Sequence, residues 1–190
     1  MQSRNKESTM KKSGRLFTYV AAGLIVTLIA FALLTGGGLE LKIVPVKGGP
    51  PLLVLPMEPG ERFTVHYYHS VENAPIWEEH SLDEKGRIYI EEERYLKFGA
   101  GMGRMPGVGR MVQRGPYEVI EDMHMPTGDF ILRIGSRGVD HTIIWRGLST
   151  NLSLVAPHQA VRFSARPVSL LLRWWRRFFS HPATPTIRRN

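Results

Sequence analysis

The feature that most constrains this chain is an uncharged, largely apolar run of twenty residues near the N-terminus, Leu16 to Thr35. At a rise of about 1.5 Å per residue, a helix of this length matches the roughly 30 Å hydrocarbon core of a bilayer. Basic residues precede it, at positions 4, 6, 11, 12 and 15. Residues 16–35 are therefore predicted to span a membrane and to leave a basic segment, residues 1–15, in the cytoplasm.

A retained anchor and a cleaved signal peptide both explain this run. Ala30-Phe31-Ala32 has the small-x-small pattern of a cleavage site. The apolar run continues beyond that site and is long for the core of a signal peptide, which favours the anchor. In both cases the residues after about 36 are expected to cross the membrane.

Charge is distributed unevenly along the 190-residue chain, whose formal net charge is +8. Residues 16–140 hold 12 basic and 16 acidic side chains, a net charge of −4. Beyond Asp140 there are eight arginines and no acidic residue. Basic ends beside apolar segments are typical of a membrane surface, and we expect no nucleic-acid partner.

The chain contains no cysteine. This excludes a disulfide framework, a thiol nucleophile and any metal centre built on cysteine ligands. The glycines at 36–38 lack the surroundings of a phosphate-binding loop, and we expect no cofactor. They are expected to form a short hinge between the span and the domain that follows.

Residues 39–165 alternate apolar and polar side chains with a period of two, most clearly at 39–43 and 63–68. Strands are predicted at 39–43, 52–55, 63–68, 87–90, 117–121, 130–134, 141–145, 151–155 and 160–164. The turns at 83–86 and 135–138 are predicted to belong to hairpins. Short strands at this spacing predict an all-β domain, either an antiparallel sandwich or a partly open barrel.

A glycine-rich stretch, residues 98–115, interrupts this alternation. It is too rich in glycine for a strand and too long for a hairpin turn. Successive backbone N–H groups and the arginines among them could hold an anion. The residues proposed for such a contact are Gly99, Gly101, Gly103 and Arg104. The alternative is a surface loop without a ligand.

Polar side chains gather where the strand at 63–68 ends and the next begins. We expect any functional surface of the β-domain to form where Tyr68, His69, Ser70 and Glu78 meet the glycine turn at 99–103. The structural alternative is that His69 caps the turn through backbone hydrogen bonds. A hydrolase using Ser70 is disfavoured, because adjacent residues of a strand project to opposite faces and no Gly-x-Ser-x-Gly motif occurs.

A metal site is also conceivable in this region from residue type alone, through His66, His69 and either Glu78 or His80. The spacing matches no recognised ligand pattern, and residues 66 and 69 face opposite sides of a strand. We therefore expect no metal.

The C-terminal segment, residues 166–181, separates apolar from basic side chains when it is laid out as a helix, and Pro167 suits the first helical position. Such a helix is typical of the bilayer interface, and the alternatives are docking of its apolar face on the β-domain or on a partner helix. The residues expected at the interface are Arg173, Trp174, Trp175, Arg176, Arg177, Phe178 and Phe179. Residues 182–190 are predicted to form a disordered tail.

Three sequence segments resemble a known family. They are Phe63-Thr64-Val65-His66-Tyr67-Tyr68-His69-Ser70-Val71-Glu72, then Pro75 and Glu78, then Phe98-Gly99-Ala100-Gly101. This pattern resembles the bacterial family called domain of unknown function 1850, over residues 40–165. The resemblance implies a small β-domain behind an N-terminal hydrophobic segment. It also implies an association with TAXI-type TRAP transporters, which import organic acids.

Two membrane-directed ends around a small domain without an assembled catalytic constellation predict a non-enzymatic membrane protein, and the resemblance implies that it is an accessory protein of a transporter. A single span would hold it in the bacterial inner membrane, with a cytoplasmic N-terminus and a periplasmic β-domain. The expected partners are the membrane and the TRAP permease or its solute-binding protein. The alternative is a periplasmic module that binds a small ligand or anion through residues 99–114 and His69.

Overall fold

A computed structural model describes residues 3–96 and 107–179 of the chain. In chain order, its elements are α1 (Ser3–Leu34), β1 (Gly36–Pro45), β2 (Leu53–Met57), β3 (Arg62–Tyr68), β4 (Pro75–Leu82), β5 (Ile88–Tyr95), β6 (Arg110–Arg114), β7 (Tyr117–Glu121), β8 (Met125–Pro126), β9 (Phe130–Arg133), β10 (Thr142–Trp145), β11 (Leu148–Asn151), α2 (Leu152–Val155), β12 (Ala160–Ser169) and α3 (Leu170–Phe179).

The strands form two antiparallel sheets. Sheet A has the order β2-β1-β12-β9, and sheet B has the order β11-β10-β3-β4-β5-β7-β6, with β8 paired to β5. Buried side chains of both sheets share one core, with Leu41 and Phe163 from sheet A meeting Phe63, Val65 and Ile143 from sheet B. The all-β prediction is confirmed. Of the two predicted architectures the sandwich is observed, because the sheets do not close into a barrel.

Helix α1 contains the apolar run. Its segment Phe17–Leu34 is long and apolar enough to cross a membrane, and none of it is buried against the rest of the structure. By length and composition α1 has the properties of a membrane anchor or of a signal sequence.

The glycines at 36–38, predicted to be a hinge, are instead the first residues of β1. Gly36 pairs with Ser169 of β12. A Cβ atom at Gly37 would lie 2.6 Å from the Ser169 carbonyl oxygen, so the close approach of β12 requires glycine there. Thr35 alone separates α1 from the sandwich.

Two other connections differ from the prediction. The turn at 135–138 does not close a hairpin, because β9 pairs with β12 in sheet A whereas β10 pairs with β3 in sheet B. The strand predicted at 151–155 is the short helix α2. Asn151 starts this helix, since its side chain accepts a hydrogen bond from the backbone N–H of Ser153 at 2.9 Å.

The C-terminal helix begins at Leu170 and not near Pro167. Residues up to Ser169 extend β12, and Pro167 pairs with Leu39. Strand β9 covers only residues 160–163 of β12, so one side of β12 is open at Pro167 and its missing N–H is tolerated. Ser169 then caps α3, because its Oγ accepts a hydrogen bond from the Leu172 backbone N–H at 3.3 Å.

Candidate functional site

Polar side chains lie on the inner face of sheet B, where a sandwich is normally apolar. Strand pairing places Glu78 beside Val65 on β3 and beside Glu93 on β5. We call the group the Glu78 cluster. Its members are Tyr67, Glu78, His80, Glu93, Tyr95 and His141.

Hydrogen bonds from two tyrosines hold the carboxylates of the Glu78 cluster. The Tyr67 hydroxyl donates to Glu78 Oε1 at 2.8 Å. The Tyr95 hydroxyl donates to Glu93 Oε2. Burial raises the pKa of Tyr67, and the neighbouring Glu78 raises it further, so Tyr67 remains a donor.

His80 is the most deeply buried polar member of the cluster, with 2% of its surface exposed. Its ring stacks between Phe63 and Phe130, with centroid distances of 5.1 and 5.4 Å. Within the described part of the chain neither ring nitrogen makes a hydrogen bond, and Nε2 lies 3.6 Å from Glu78 Oε2. A buried imidazole without hydrogen bonds is costly for folding, which is typical of a site retained for another reason.

His141 closes the other side of the cluster. Its ring stacks on Tyr67 at 5.0 Å, and its Nδ1 accepts a hydrogen bond from the Gly135 backbone N–H at 3.0 Å. Burial lowers the pKa of His141, although the charge of Glu78 opposes the shift.

Burial has the opposite effect on Glu93, whose pKa it raises. The hydrogen bond from Tyr95 opposes this rise, and the charge of Glu78 adds to it. Carboxyl, phenol and imidazole groups are suited to holding a shared proton or to binding a hydrogen-bonding ligand.

The structure separates the residues predicted to form one functional surface. Tyr68 lies on the outer face of sheet B, three residues along β3 from the inward-facing Val65, whereas Glu78 lies on the inner face. His69 and Ser70 follow in the turn after β3, and Ser70 is exposed. Gly99, Gly101, Gly103 and Arg104 lie outside the described residues.

His69 holds that turn together. Its Nδ1 accepts a hydrogen bond from the Glu72 backbone N–H at 3.2 Å. Its own N–H donates to the carbonyl of Ala74, and its carbonyl accepts from the N–H of Asn73, both at 2.9 Å. This is the structural alternative that the sequence offered for His69. Because Nδ1 is engaged by the backbone, it does not accept the Ser70 hydroxyl proton.

A second polar group, which the sequence analysis missed, lines a cavity of about 440 Å³ at the Asp83 end of β4 and β5. Glu91 Oε1 accepts a hydrogen bond from Ser81 Oγ at 2.5 Å and lies 2.9 Å from His124 Nδ1. Burial alone would raise the pKa of Glu91, but the hydrogen bonds from Ser81 and His124 outweigh it and the pKa is lowered. A carboxylate only accepts hydrogen bonds, so Nδ1 carries a proton and Nε2 remains available.

His124 is held in place by both ring and backbone. Its ring stacks on Tyr89 at 4.5 Å with an interplanar angle of 6°, and its φ angle is +36°. That left-handed backbone is uncommon for residues other than glycine. In the described ranges, no group of three histidine, cysteine or acidic residues could hold a metal ion.

Sequence signals for these two groups differ. Three consecutive acidic residues, Glu91 to Glu93, lie in a predicted β region between Ile90 and Tyr95. Because side chains alternate along a strand, a run of three places at least one carboxylate on the inner face. That signal could have identified Glu93. Nothing comparable marks His124.

Helix α3 directs two arginines, Arg173 and Arg176, towards the β-domain and leaves the described aromatic residues exposed. Arg173 Nη1 donates to the Gly37 carbonyl and to Glu58 Oε1, both at 2.6 Å. Arg176 pairs with Glu40, which is 7% exposed. Trp174, Trp175 and Phe178 are 57%, 55% and 60% exposed. The side chains of Arg177 and Phe179 lie outside the described part of the structure.

The fold and these sites define a β-sandwich domain attached to one apolar N-terminal helix. Residues 63–152 match the model of the family described as Domain of unknown function (DUF1850), which confirms the resemblance noted in the sequence. The match is shorter than the 40–165 expected from the sequence and runs from β3 to the first residue of α2. Neither the curated proteins nor the solved structures that were compared include a match to this chain.

Proposed function

We propose that this protein is a membrane-anchored accessory of a transporter, that it has no catalytic role, and that its β-domain works outside the cytoplasm. Helix α1 would be the anchor. The basic residues before it favour a cytoplasmic N-terminus, because positively charged flanks are retained on that side. The β-domain would then lie in the periplasm, against the outer surface of the inner membrane.

The observation that carries this proposal is the junction between α1 and β1. Thr35 is the single residue between the two elements, and β1 is a central strand of sheet A. Arg173 of α3 adds a contact beside the junction through the Gly37 carbonyl. A domain joined to its span in this way remains at the membrane surface, which suits contact with another membrane protein better than capture of a distant partner.

The identity of the partner rests on the family. The resemblance to the domain of unknown function 1850 implies an association with TAXI-type TRAP systems. We therefore propose the permease, or the solute-binding protein that delivers organic acids to it, as the partner.

Co-purification tests this proposal. The full-length chain, tagged and extracted in a mild detergent, is expected to retain the permease. A control variant carries a flexible Gly/Ser segment inserted between Thr35 and Gly36, which keeps every element but separates the domain from the span. We expect the control to recover less permease. Absence of both the permease and the solute-binding protein from both samples would refute the accessory role.

Alkaline extraction of membranes tests the anchor separately. The intact chain is expected in the membrane pellet. A soluble chain shortened after Ala32 would show that α1 is a signal sequence.

A small-ligand module is the second candidate, and the cavity beside Glu91 favours it. Arg62 and His124 line this cavity together with the acidic residues Asp83, Glu84 and Glu91. A ligand that binds only the folded state raises the melting temperature. If an organic acid raises the melting temperature of the parent chain but not of His124→Ala, and no permease co-purifies, this candidate replaces the first.

A further inference from the structure

The outer face of sheet A is basic. Alternation along the strands places Lys42, Arg133, Arg162 and Arg166 on this face. Its central acid, Glu40, is already paired with Lys42 at 3.2 Å and with Arg176. Asp129, at the edge, pairs with Arg166 at 2.6 Å. Exposed Arg133 and Arg162 take part in none of the ion pairs found among the described residues, and the charge of Arg162 acts on Asp129 only at longer range than the Arg166 pair.

The outer face of sheet B shows the opposite arrangement. Its exposed arginines are matched by glutamates on neighbouring strands. Arg62 pairs with Glu79, Arg110 with Glu121, and Arg114 with both Glu92 and Glu121. The outer face of sheet A therefore has arginines outside the ion pairs, whereas the arginines named on the outer face of sheet B are all in ion pairs.

Exposed apolar side chains accompany the charge on sheet A. Val54 lies beside Lys42 and is 39% exposed, and Ile131 lies beside Arg162 and is 54% exposed. Unpaired arginines with apolar side chains between them are typical of a surface that meets lipid headgroups.

Helix α3 lies on the same face. Arg176 pairs with Glu40 on the outer side of β1, and Arg173 contacts Gly37 and Glu58, so α3 lies at this end of sheet A with these two arginines towards the sheet. Trp174 and Phe178 are exposed on the other side of α3, and we place them on the same side of the molecule as the outer face of sheet A. The backbone N–H of Leu170 donates to the Thr35 carbonyl at 2.9 Å, so this surface is continuous with the end of α1.

We propose that the outer face of sheet A and the aromatic side of α3 lie together on the bilayer, and that anionic phospholipid headgroups bind Arg133 and Arg162. This inference rests on the anchoring part of the proposed function and not on the transporter. Apolar burial of α3 residues holds the surface to the membrane, while the two arginines supply its preference for anionic lipid. Sheet B then faces away from the membrane.

The absence of cysteine allows a direct test, because a spin label can be placed at one introduced cysteine without background. We would label Val54→Cys and Ile131→Cys on sheet A. Tyr68→Cys on the outer face of sheet B is the matched control, since Tyr68 is 38% exposed and Val54 is 39% exposed. The full chain is reconstituted in vesicles of phosphatidylethanolamine with phosphatidylglycerol, or of phosphatidylcholine alone. Collision with a water-soluble nickel complex measures the water access of each label.

Labels at 54 and 131 are expected to lose water access in the vesicles that contain phosphatidylglycerol, while the label at 68 keeps it. Replacing both arginines, as Arg133→Gln with Arg162→Gln, is expected to reduce the ratio of docked to undocked domain by roughly 30-fold. High salt is expected to act in the same direction.

Equal water access at all three labels would overturn the docking surface. Protection that the two arginine substitutions leave unchanged would overturn the role of anionic headgroups. Both outcomes apply to a chain that stays in the membrane pellet at alkaline pH. A chain released by alkali instead refutes the anchor, so the two failures are distinguishable.

Discussion

At the scale of single residues, the Glu78 cluster places two carboxyl groups and two imidazoles inside a sandwich. Each carboxyl group accepts a hydrogen bond from a tyrosine hydroxyl, Glu78 from Tyr67 and Glu93 from Tyr95. The hydrogen bonds offset part of the cost of burial, but neither ring nitrogen of His80 makes a hydrogen bond in the described structure.

Tyr67→Phe tests the Glu78 hydrogen bond. The substitution keeps the ring that stacks on His141 and removes the donor to Glu78, so we expect the free energy of unfolding to fall by about 1–3 kcal/mol. Urea unfolding of the full chain in detergent micelles measures it. Tyr68→Phe, on the outer face of sheet B, is the control and should change the free energy of unfolding by less than about 0.5 kcal/mol. An equal loss in both variants would show that the hydrogen bond does not stabilise the fold.

Glu93→Gln tests the partly buried carboxyl group of Glu93. Because burial raises the pKa of Glu93 above its ordinary value of 4.5, the folded state holds this proton more tightly than the unfolded state does. The stability contribution of Glu93 is then present below pH 4.5 and is lost as pH rises through the raised pKa. The amide cannot ionise, so the variant should be more stable than the parent at about pH 7 and similar to it at about pH 4.

Urea unfolding at both pH values provides the measurement for Glu93→Gln. Taking the difference between variant and parent removes the contributions of His66 and His141, which titrate in both proteins. A variant that is less stable at neutral pH would show that the ionised carboxylate is favourable in the fold.

The sequence could predict the turn at His69 because its interactions are local, within five residues. The Glu78 cluster could not be predicted as a unit, because the positions of Glu93 and His141 depend on strand pairings that alternation alone does not determine. The same reason explains the missed cavity, where Ser81, Glu91 and His124 come from three strands or connections.

At the scale of elements, β1 is central to the fold because it joins the apolar helix to both β2 and β12. Alternation predicted its inward residues, Leu39, Leu41 and Ile43, since one face of the strand is buried. It could not predict that the three preceding glycines extend the strand, because Ser169, which pairs with Gly36, lies 133 residues later in the sequence.

Gly37→Ala tests the structure of the glycine run. A Cβ atom at residue 37 would lie 2.6 Å from the Ser169 carbonyl oxygen and 2.8 Å from the Leu170 Cα atom. We expect a loss of about 1–3 kcal/mol in the free energy of unfolding, as for other overpacked positions. Gly36→Ala is the matched control, because no atom lies within 4 Å of its added Cβ. Equal, small effects at both positions would support a flexible hinge.

At the scale of the whole molecule, the family match and the sandwich have different boundaries. Residues 63–152 contain sheet B and β9 but exclude β1, β2 and β12 of sheet A. The side chains of Phe63 and Val65 on β3 pack in one hydrophobic cluster with Leu41 and Phe163, which lie outside the match.

A fragment of residues 63–152 is therefore expected not to fold cooperatively. Its sheet B would expose the apolar face that sheet A covers, and each large side chain left exposed forfeits about 1.5–3 kcal/mol. Circular dichroism during heating should show no cooperative transition for this fragment. A fragment of residues 36–179 is the control and should show one. A cooperative transition in the shorter fragment would mean that the matched residues are an autonomous domain.

The pairing of β1 with β12 also determines when the domain can be completed. Gly36 is among the first residues to follow the apolar helix out of the ribosome, whereas its partner Ser169 is made 133 residues later. Closing a loop of that length must wait until residues up to 169 have been synthesised. Until β12 is made, one edge of β1 is unpaired and the Gly37 carbonyl lacks its hydrogen bond from Arg173. The pairing of β1 with β12 and the docking of α3 are therefore late events in the folding of this domain.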